Sequence, residues 1–525
     1  MERRMYMGIG EKVGKSVMII MVFTLISKFL GFFREILIAA RFGSGMETDA
    51  FFIAMTACTI VMSVVGAAIK TTLIPVLSEV EDRLGKEKQN LFSGWLLMIV
   101  LGLSLLFTIL GIAFAPIIIR ILAIDFEGEQ FDLAVRLTRI GYPMVMFLST
   151  NYVLHAYLND KEHFFLPAFV GVPFNLVYIF FLLGFSRFGI TGLMIAAVLG
   201  AAVQMLIQVP KSRKLGLKFT LDFGEYKPYI KKVFVLMGPV IIGTMAFHVN
   251  TVVDKTLAST LQEGSISALN YAAKLNSLFL SVFVLAIVTV IFPMLSKETR
   301  KEDKNATLEI MSSSLNTTMI VVLPVMVGII LLAPSMIYLF FERGEFDSRA
   351  TAMTATAFRF YTVGLMGFSF KDIVSRVFYS LQDTRTPMVY GIVAVVGNII
   401  LNLILIGPLG HGGLALATGL SGIIASALLL WRLRKKMGHI KGGKIMRCFV
   451  KSGTAALIMV PAVYFFNQWI TELLVSGKIQ ELIALFTTIF VGAITYYVSA
   501  RLLRIEEVDI LTSEIVKKIH AYRKS

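Results

Sequence analysis

An all-α polytopic membrane protein of about fourteen transmembrane helices is the fold class this sequence predicts, and three observations predict it. The first is composition. Of 525 residues, 56% are hydrophobic and only 16% charged, and the mean hydropathy is +0.78. Soluble chains of this length are far more polar. The second is that apolar runs of about 20 residues recur along the whole chain. The third is the placement of charge. The basic residues behind the net charge of +16 gather in short clusters between the apolar runs. That pattern belongs to the cytoplasmic face of a membrane protein and excludes a nucleic-acid surface. Cys58 lies inside an apolar run and Cys448 opens another, so the sequence holds neither a disulfide framework nor metal-site spacing.

The predicted spans run over 17–42, 49–78, 92–119, 132–158, 164–185, 189–210, 229–256, 265–296, 306–333, 350–381, 387–407, 412–432, 446–468 and 479–501. The basic start MERRMYMGIGEKVGK feeds the first span without a small-residue cleavage site and reads as a retained cytoplasmic segment. Alternate loops carry Arg83, Lys86 and Lys88; Lys211, Arg213, Lys214 and Lys218; Lys297, Arg300, Lys301 and Lys304; and Arg432, Arg434, Lys435 and Lys436. The opposite loops, such as FGSGMETD and LQEGS, are short and acidic or mixed. The positive-inside rule therefore puts both termini in the cytoplasm.

The two halves resemble each other. Leu158, Asp160, Asn175 and Gly184 pair with Leu381, Asp383, Asn398 and Gly407 at one offset. TTLIPVLSEV at the end of the second span pairs with VTVIFPMLSKE at the end of the eighth. The expected organisation is a six-helix lobe over 1–218, a second over 219–440, two additional spans over 441–501 and a tail over 502–525. Parallel repeats of this kind place the substrate site between the halves near the midplane. In the tail, Ile505, Val508, Leu511 and Ile515 recur at helical spacing, which predicts an amphipathic helix on the cytoplasmic leaflet.

Charge inside the spans is the functional signal, because an ionisable group facing lipid costs several kcal/mol. Lys28 and Glu35 stand seven residues apart on one face of the first span, with Arg34 a quarter-turn away. Such a face must look into protein or a water-filled cavity. Asp49 opens the second span and Lys70 lies near its inner end. Asp49 also fits a plain helix-start acid, and Lys70 a snorkelling one. In the seventh span, Asn250 and Asp254 share a face and supply oxygen ligands for Na⁺ or one site for a proton. The eighth carries Lys274, the tenth the Lys371–Asp372 pair, and the eleventh and twelfth hold Asn398, Asn402 and Thr418. Together Lys28, Arg34 and Lys274 leave positive charge inside the bundle, which implies an anionic visitor such as a pyrophosphate.

SKFLGFFREILIAARFG, ETDAFFIA, NTVVDK, GSISALNYAAK, FERGEFD, SLQDTRTP and GNIILN followed by GLALATGL are similar, as a set, to the MurJ (MviN) family. Those are the lipid II flippases of peptidoglycan synthesis, in a superfamily shared with multidrug and toxin extruders, and the resemblance covers essentially the whole chain. It implies a bacterial cytoplasmic-membrane transporter working by alternating access, with no enzyme activity. It also implies a central cationic cavity for the headgroup of lipid II or a related polyprenyl-pyrophosphate saccharide, and a groove toward the last two spans for the lipid tail. Contact with cell-wall synthesis enzymes and a coupling ion, Na⁺ or H⁺, with no other cofactor, complete the expectation. By motif, Lys28, Arg34, Glu35, Asp49, Lys70 and Lys274 are carried over as substrate-binding candidates. Asp254, Asn398, Asn402, the Leu414 carbonyl and Thr418 fall on the positions of a sodium site of the family. Lys28 and Lys274 stand where the family commonly has arginine, which keeps the charge and loses the bidentate fork. Asn402 stands where an aspartate is expected, which weakens a Na⁺ site.

Other readings fit less well. A flippase for another undecaprenyl-linked glycan would share nearly all these features. A cation-coupled drug antiporter would want an acidic, aromatic cavity, against Lys28, Arg34 and Lys274. A membrane enzyme would need a catalytic constellation, and the sequence contains no HExxH, GxSxG or Walker-type loop.

Overall fold

The computed structural model describes residues 2–218, 226–281, 303–438, 440–474 and 477–509, and among these no β-strand occurs. The chain divides into two compact units, Met1–Ser267 with Gly344–Phe346, and Ala268–Arg343 with Asp347–Ser525. The first unit contains α1 (Glu2–Phe42), α2 (Met46–Leu84), α3 (Lys86–Ala113), α4 (Ala115–Leu122), α5 (Gly128–Gly141) and α6 (Met144–Asp160). It continues with α7 (Phe165–Phe169), α8 (Gly171–Gly184), α9 (Gly189–Leu206), α10 (Val209–Lys214) and α11 (Lys227–Ala258). Helix α12 is described over residues 265–281. The second unit contains α13 (Lys304–Phe341), α14 (Ser348–Val363), α15 (Leu365–Ser380), α16 (Arg385–Leu409), α17 (His411–Met437), α18 (Gly442–Leu473) and α19 (Lys478–Leu502).

Among the described residues the predicted spans fall on helix, and ten helices there are long and apolar enough to cross a membrane. Predicted spans four and ten are each split, at Tyr142–Pro143 between α5 and α6 and at Gly364 between α14 and α15. Pro143 has no N–H for the ladder. At Gly364 a side chain would run into the backbone of Gly419 on α17, so the helices cross there with almost no separation. The inner end of span eight, including VTVIFPMLSKE, lies outside the described residues.

The core of the first unit is built by α2, α3 and α6, with Leu73, Leu77, Phe92 and Tyr157 at its centre. That of the second gathers Leu308, Met311, Phe378 and Leu433 from α13, α15 and α17. The lobe boundary expected at 218/219 falls inside the first unit, because α11 lies along α2. Lys232 pairs with Glu79 near one end, and His248 Nε2 meets Ser63 Oγ at 2.9 Å in the middle. Near the other end Thr256 Oγ1 donates to the Ile121 carbonyl at 2.9 Å.

At one point of the internal repeat, the caps after α6 and α15, the helix ends set a register different from that of the sequence match. After α6, His163 N–H bonds to the Leu158 carbonyl and Glu162 takes a left-handed φ of 57°. After α15, Asp383 N–H bonds to the Phe378 carbonyl and Gln382 takes a φ of 58°. These caps pair residues 220 positions apart, not the 223 of the sequence match. A three-residue slip is close to one helical turn, so it keeps apolar faces in phase and leaves no trace in a hydrophobic pattern.

The tail is also corrected. Ile505 and Val508, expected on a lipid surface, are 2% and 5% exposed within the second unit. Arg504 turns the backbone through a left-handed φ of 50°, and its carbonyl accepts from Lys451 Nζ at 2.9 Å. Glu507 is buried with them and accepts from Asn316 Nδ2 at 2.5 Å. Leu511 and Ile515 lie outside the described residues.

Candidate substrate and ion sites

Helix α1 is seated on α8 through small and amide groups. Asn175 Nδ2 donates to the Ser27 carbonyl at 3.1 Å and to the Gly171 carbonyl at 2.8 Å. About two turns beyond Ser27, Arg34 Nη2 donates to Glu35 Oε1 at 2.6 Å. The guanidinium lies 4.8 Å from the Tyr178 ring centroid and 5.6 Å from that of Phe174. Glu35 is 2% exposed. An ion pair roofed by aromatic rings gains from low dielectric and from the ring quadrupole. The sequence placed Lys28 and Glu35 on one cavity face. Lys28 is exposed, as expected, but Glu35 and most of Arg34 are packed inside the first unit. The pair is not fully satisfied, since Arg34 Nε and Glu35 Oε2 find no partner among the described residues.

Asp49 is occupied structurally. Its Oδ2 accepts from Gly264 N–H at 2.8 Å and its Oδ1 from Ser267 N–H at 2.7 Å. Both donors belong to the start of α12, so the carboxylate caps a helix whose first N–H groups would otherwise be orphaned. Glu263 Oε1 reciprocates by accepting from Met46 N–H at 2.8 Å, and Ser44 meets Ser267 through their hydroxyls at 2.7 Å. Asp49 thereby has a structural partner for each carboxylate oxygen. It is the helix-start reading of this acid that the geometry favours, with the capped helix being α12 and not its own.

Lys70 is exposed and lies 5.1 Å from the Tyr152 ring centroid, with no ion pair among the described residues. Lys274 is exposed on α12, likewise with no ion pair among the described residues. Sequence reasoning missed the partners. Tyr178 stands one turn from Asn175, and His248 holds α11 to Ser63 of α2. An aromatic at the turn after a buried amide was the available signal for the first, and no sequence feature marks the second.

Of the ion-site residues, Asp254 lies in the first unit, where it accepts from Asn250 Nδ2 at 3.1 Å. In the second unit the other four come together. Asn402 Nδ2 donates to Asn398 Oδ1 at 3.0 Å, and Asn398 Nδ2 reaches Thr418 Oγ1 at 3.5 Å. Thr418 Oγ1 donates in turn to the Leu414 carbonyl at 3.0 Å. Asn398 and Asn402 are almost completely buried. The result is a set of uncharged oxygens on α16 and α17, and no cluster of three His, Cys, Asp or Glu occurs among the described residues. Lys371 and Asp372 pair at 3.8 Å and are both partly exposed, so they neutralise each other.

Residues 38–484 match the family described as lipid II flippase MurJ. The chain belongs to that family. It is 29% identical over 489 residues to a probable lipid II flippase MurJ of Buchnera aphidicola subsp. Acyrthosiphon pisum, a match covering 92% of this chain and 96% of that protein. A solved lipid II flippase MurJ in an inward closed conformation aligns with a TM-score of 0.77 at 25% identity, over 92% of this chain and 98% of its own. An inward-facing multidrug resistance MATE transporter of the MOP superfamily aligns with a TM-score of 0.66 at 15% identity, over 81% of this chain and 99% of its own. That second likeness is one of fold. The family places this multi-pass helical protein among transporters.

Proposed function

We propose that the chain carries lipid II from the inner to the outer leaflet of the bacterial cytoplasmic membrane by alternating access. The observation that carries this reading is the family match over 38–484, nearly all of the membrane-spanning chain. The exposed cations Lys28, Lys70 and Lys274 support it, since ammonium groups at membrane depth are retained where an anion visits. Ammonium groups act as point charges on a pyrophosphate, without an arginine fork. Arg34 contributes through its pair with Glu35, holding α1 against α8 behind the Lys28 face.

A coupling ion belongs to the proposal. The oxygens of Asn398, Asn402, Thr418 and the Leu414 carbonyl fit a weakly held Na⁺, since hard cations take oxygen ligands and this set brings no carboxylate. Asp254 with Asn250 is the candidate proton carrier of the first unit.

The test is complementation of bacteria depleted of their own lipid II flippase, with lipid II accessibility on the outer leaflet as the readout. The wild type should rescue growth and Lys28→Glu should not, at equal membrane levels. Rescue by Lys28→Glu would remove the cavity reading, and no rescue by the wild type would turn the assignment to another polyprenyl-linked glycan. Loss of Na⁺ dependence in Asn398→Leu, with protonophore sensitivity retained, would separate the two ion candidates.

A further inference from the structure

We propose that a pocket near the end of α18 binds a zwitterionic membrane phospholipid bearing a primary ammonium, with the ammonium on Glu472 and the phosphate on Gln468. The pocket is an open cleft of about 420 Å³ between α13 and α18, lined wholly from the second unit. Its lining mixes apolar Leu331 and Leu332 of α13 and Val463 of α18 with polar Asn467, Gln468 and Glu472 of α18. A cleft of that size and mixed lining fits an amphiphile, with the first part of an acyl chain against the leucines and a headgroup at the polar side chains.

Depth selects a lipid. Helix α18 starts with Lys444, Arg447 and Lys451 and runs for 32 residues, about 48 Å at the helical rise. With those basic residues on the cytoplasmic side, the pocket lies at headgroup level in the outer leaflet. Phe466 and Trp469 sit there with ring centroids 5.6 Å apart, as an interfacial aromatic belt requires.

Charge selects the headgroup. Glu472 has no ion pair, and Gln468 no side-chain hydrogen bond, among the described residues. Lys478, the cation that follows in the chain, is engaged, donating to the Glu342 carbonyl at 2.7 Å. The pocket therefore presents one uncompensated carboxylate beside an amide N–H. An ammonium next to a phosphate ester complements that pair, whereas an anionic lipid would set its phosphate against Glu472 with nothing to neutralise it.

The full-length protein in nanodiscs, probed by native mass spectrometry with phosphatidylethanolamine against phosphatidylglycerol, tests this. The wild type should retain phosphatidylethanolamine in about two- to fivefold preference, the range an interfacial ion pair supports. Glu472→Gln should bring the ratio to about one, and Glu472→Lys should invert it, both with unchanged thermal unfolding. A wild type without preference, or a preference that survives Glu472→Lys, would overturn the assignment. Complementation by Glu472→Gln is a separate readout, so this site can fail without the flippase reading failing.

Discussion

Asp160 and Asp383 follow corresponding helices in the two halves, and their carboxyls are pushed in opposite directions. Burial pushes Asp160 above the ordinary carboxylate range, against the pull of Lys161 and the hydrogen bonds from Gln89 and Ser78. Burial works the same way on Asp383, but Lys436 at 2.6 Å and two hydrogen bonds from Thr386 outweigh it and hold the group below that range. The difference follows from register. Asp160 is the last residue of α6 and points at Gln89 of α3, whose Nε2 is 2.7 Å away. Asp383 lies three positions further along the same cap, and there it organises the start of α16. Aspartates that align in sequence thus end a helix in one half and begin the next in the other.

A similar division runs through the membrane-depth polar groups. In the first unit several are consumed by packing: Arg34 with Glu35, Asn175 with the α1 backbone, Asp49 with the α12 start. In the second unit the asparagines bond to one another and to Thr418. A polar side chain that satisfies a backbone or a buried charge is fixed by folding, whereas one bonded to another neutral side chain can exchange it for a ligand.

The largest effect should come from the buried pair. Glu35→Gln strands the Arg34 charge, costing about 3–5 kcal/mol, and should show as loss of folded protein in detergent thermal melts. Replacing Arg34 and Glu35 together by leucine should restore much of that stability, because a buried pair exchanged for apolar side chains is often near neutral. If the double variant folds and still flips lipid II, Arg34 has no transport role beyond seating α1. Asp49→Ala comes next, at roughly 1–3 kcal/mol for leaving two N–H groups unmatched. Substrate affinity of the folded fraction should not change, and a drop there would return Asp49 to the binding site. Asn175→Leu and Asn398→Leu should each cost about 1 kcal/mol or less in stability. Only the Asn398 variant should alter the Na⁺ dependence of transport, and equal effects would break the distinction between the halves.

The smallest effect is in pH. Asp383, held low, contributes stability that is present above its unfolded value of about 3.9 and is lost as pH falls through its folded value. Asp160, held high, works the other way: its ionisation costs stability increasingly as pH rises from about 3.9 through its folded value. At neutral pH, Asp383→Asn should therefore lower the melting temperature, and Asp160→Asn should leave it unchanged or raise it slightly. Measured from pH 3.5 to 7, the two variants should diverge from the wild type with opposite slopes.

Much of the fold was legible in the residues. Apolar runs and loop charge are properties of local sequence, and bilayer thickness turns them into helices with little freedom. The repeat was legible as a resemblance but not in its register, since a slip of nearly one turn preserves every face. The candidate site was legible as residue types. Lys28, Lys70 and Lys274 are exposed, and Asn398, Asn402, Leu414 and Thr418 meet because the short turn at Gly410 folds α17 back along α16. What the sequence could not show was which ionisable groups already had partners. Asp49 is answered by a backbone more than 200 residues away, and Arg34 by rings on α8.

By itself, then, the sequence determined that the chain is a bundle of membrane-crossing helices with cations at depth, because lipid allows few alternatives for such a pattern. Only the tertiary structure decided which charges are spent on folding and which are left exposed. That depends on distances between helices far apart in the chain, and hydrogen-bond and ion-pair energies fall off over a few ångströms that no spacing along one helix encodes.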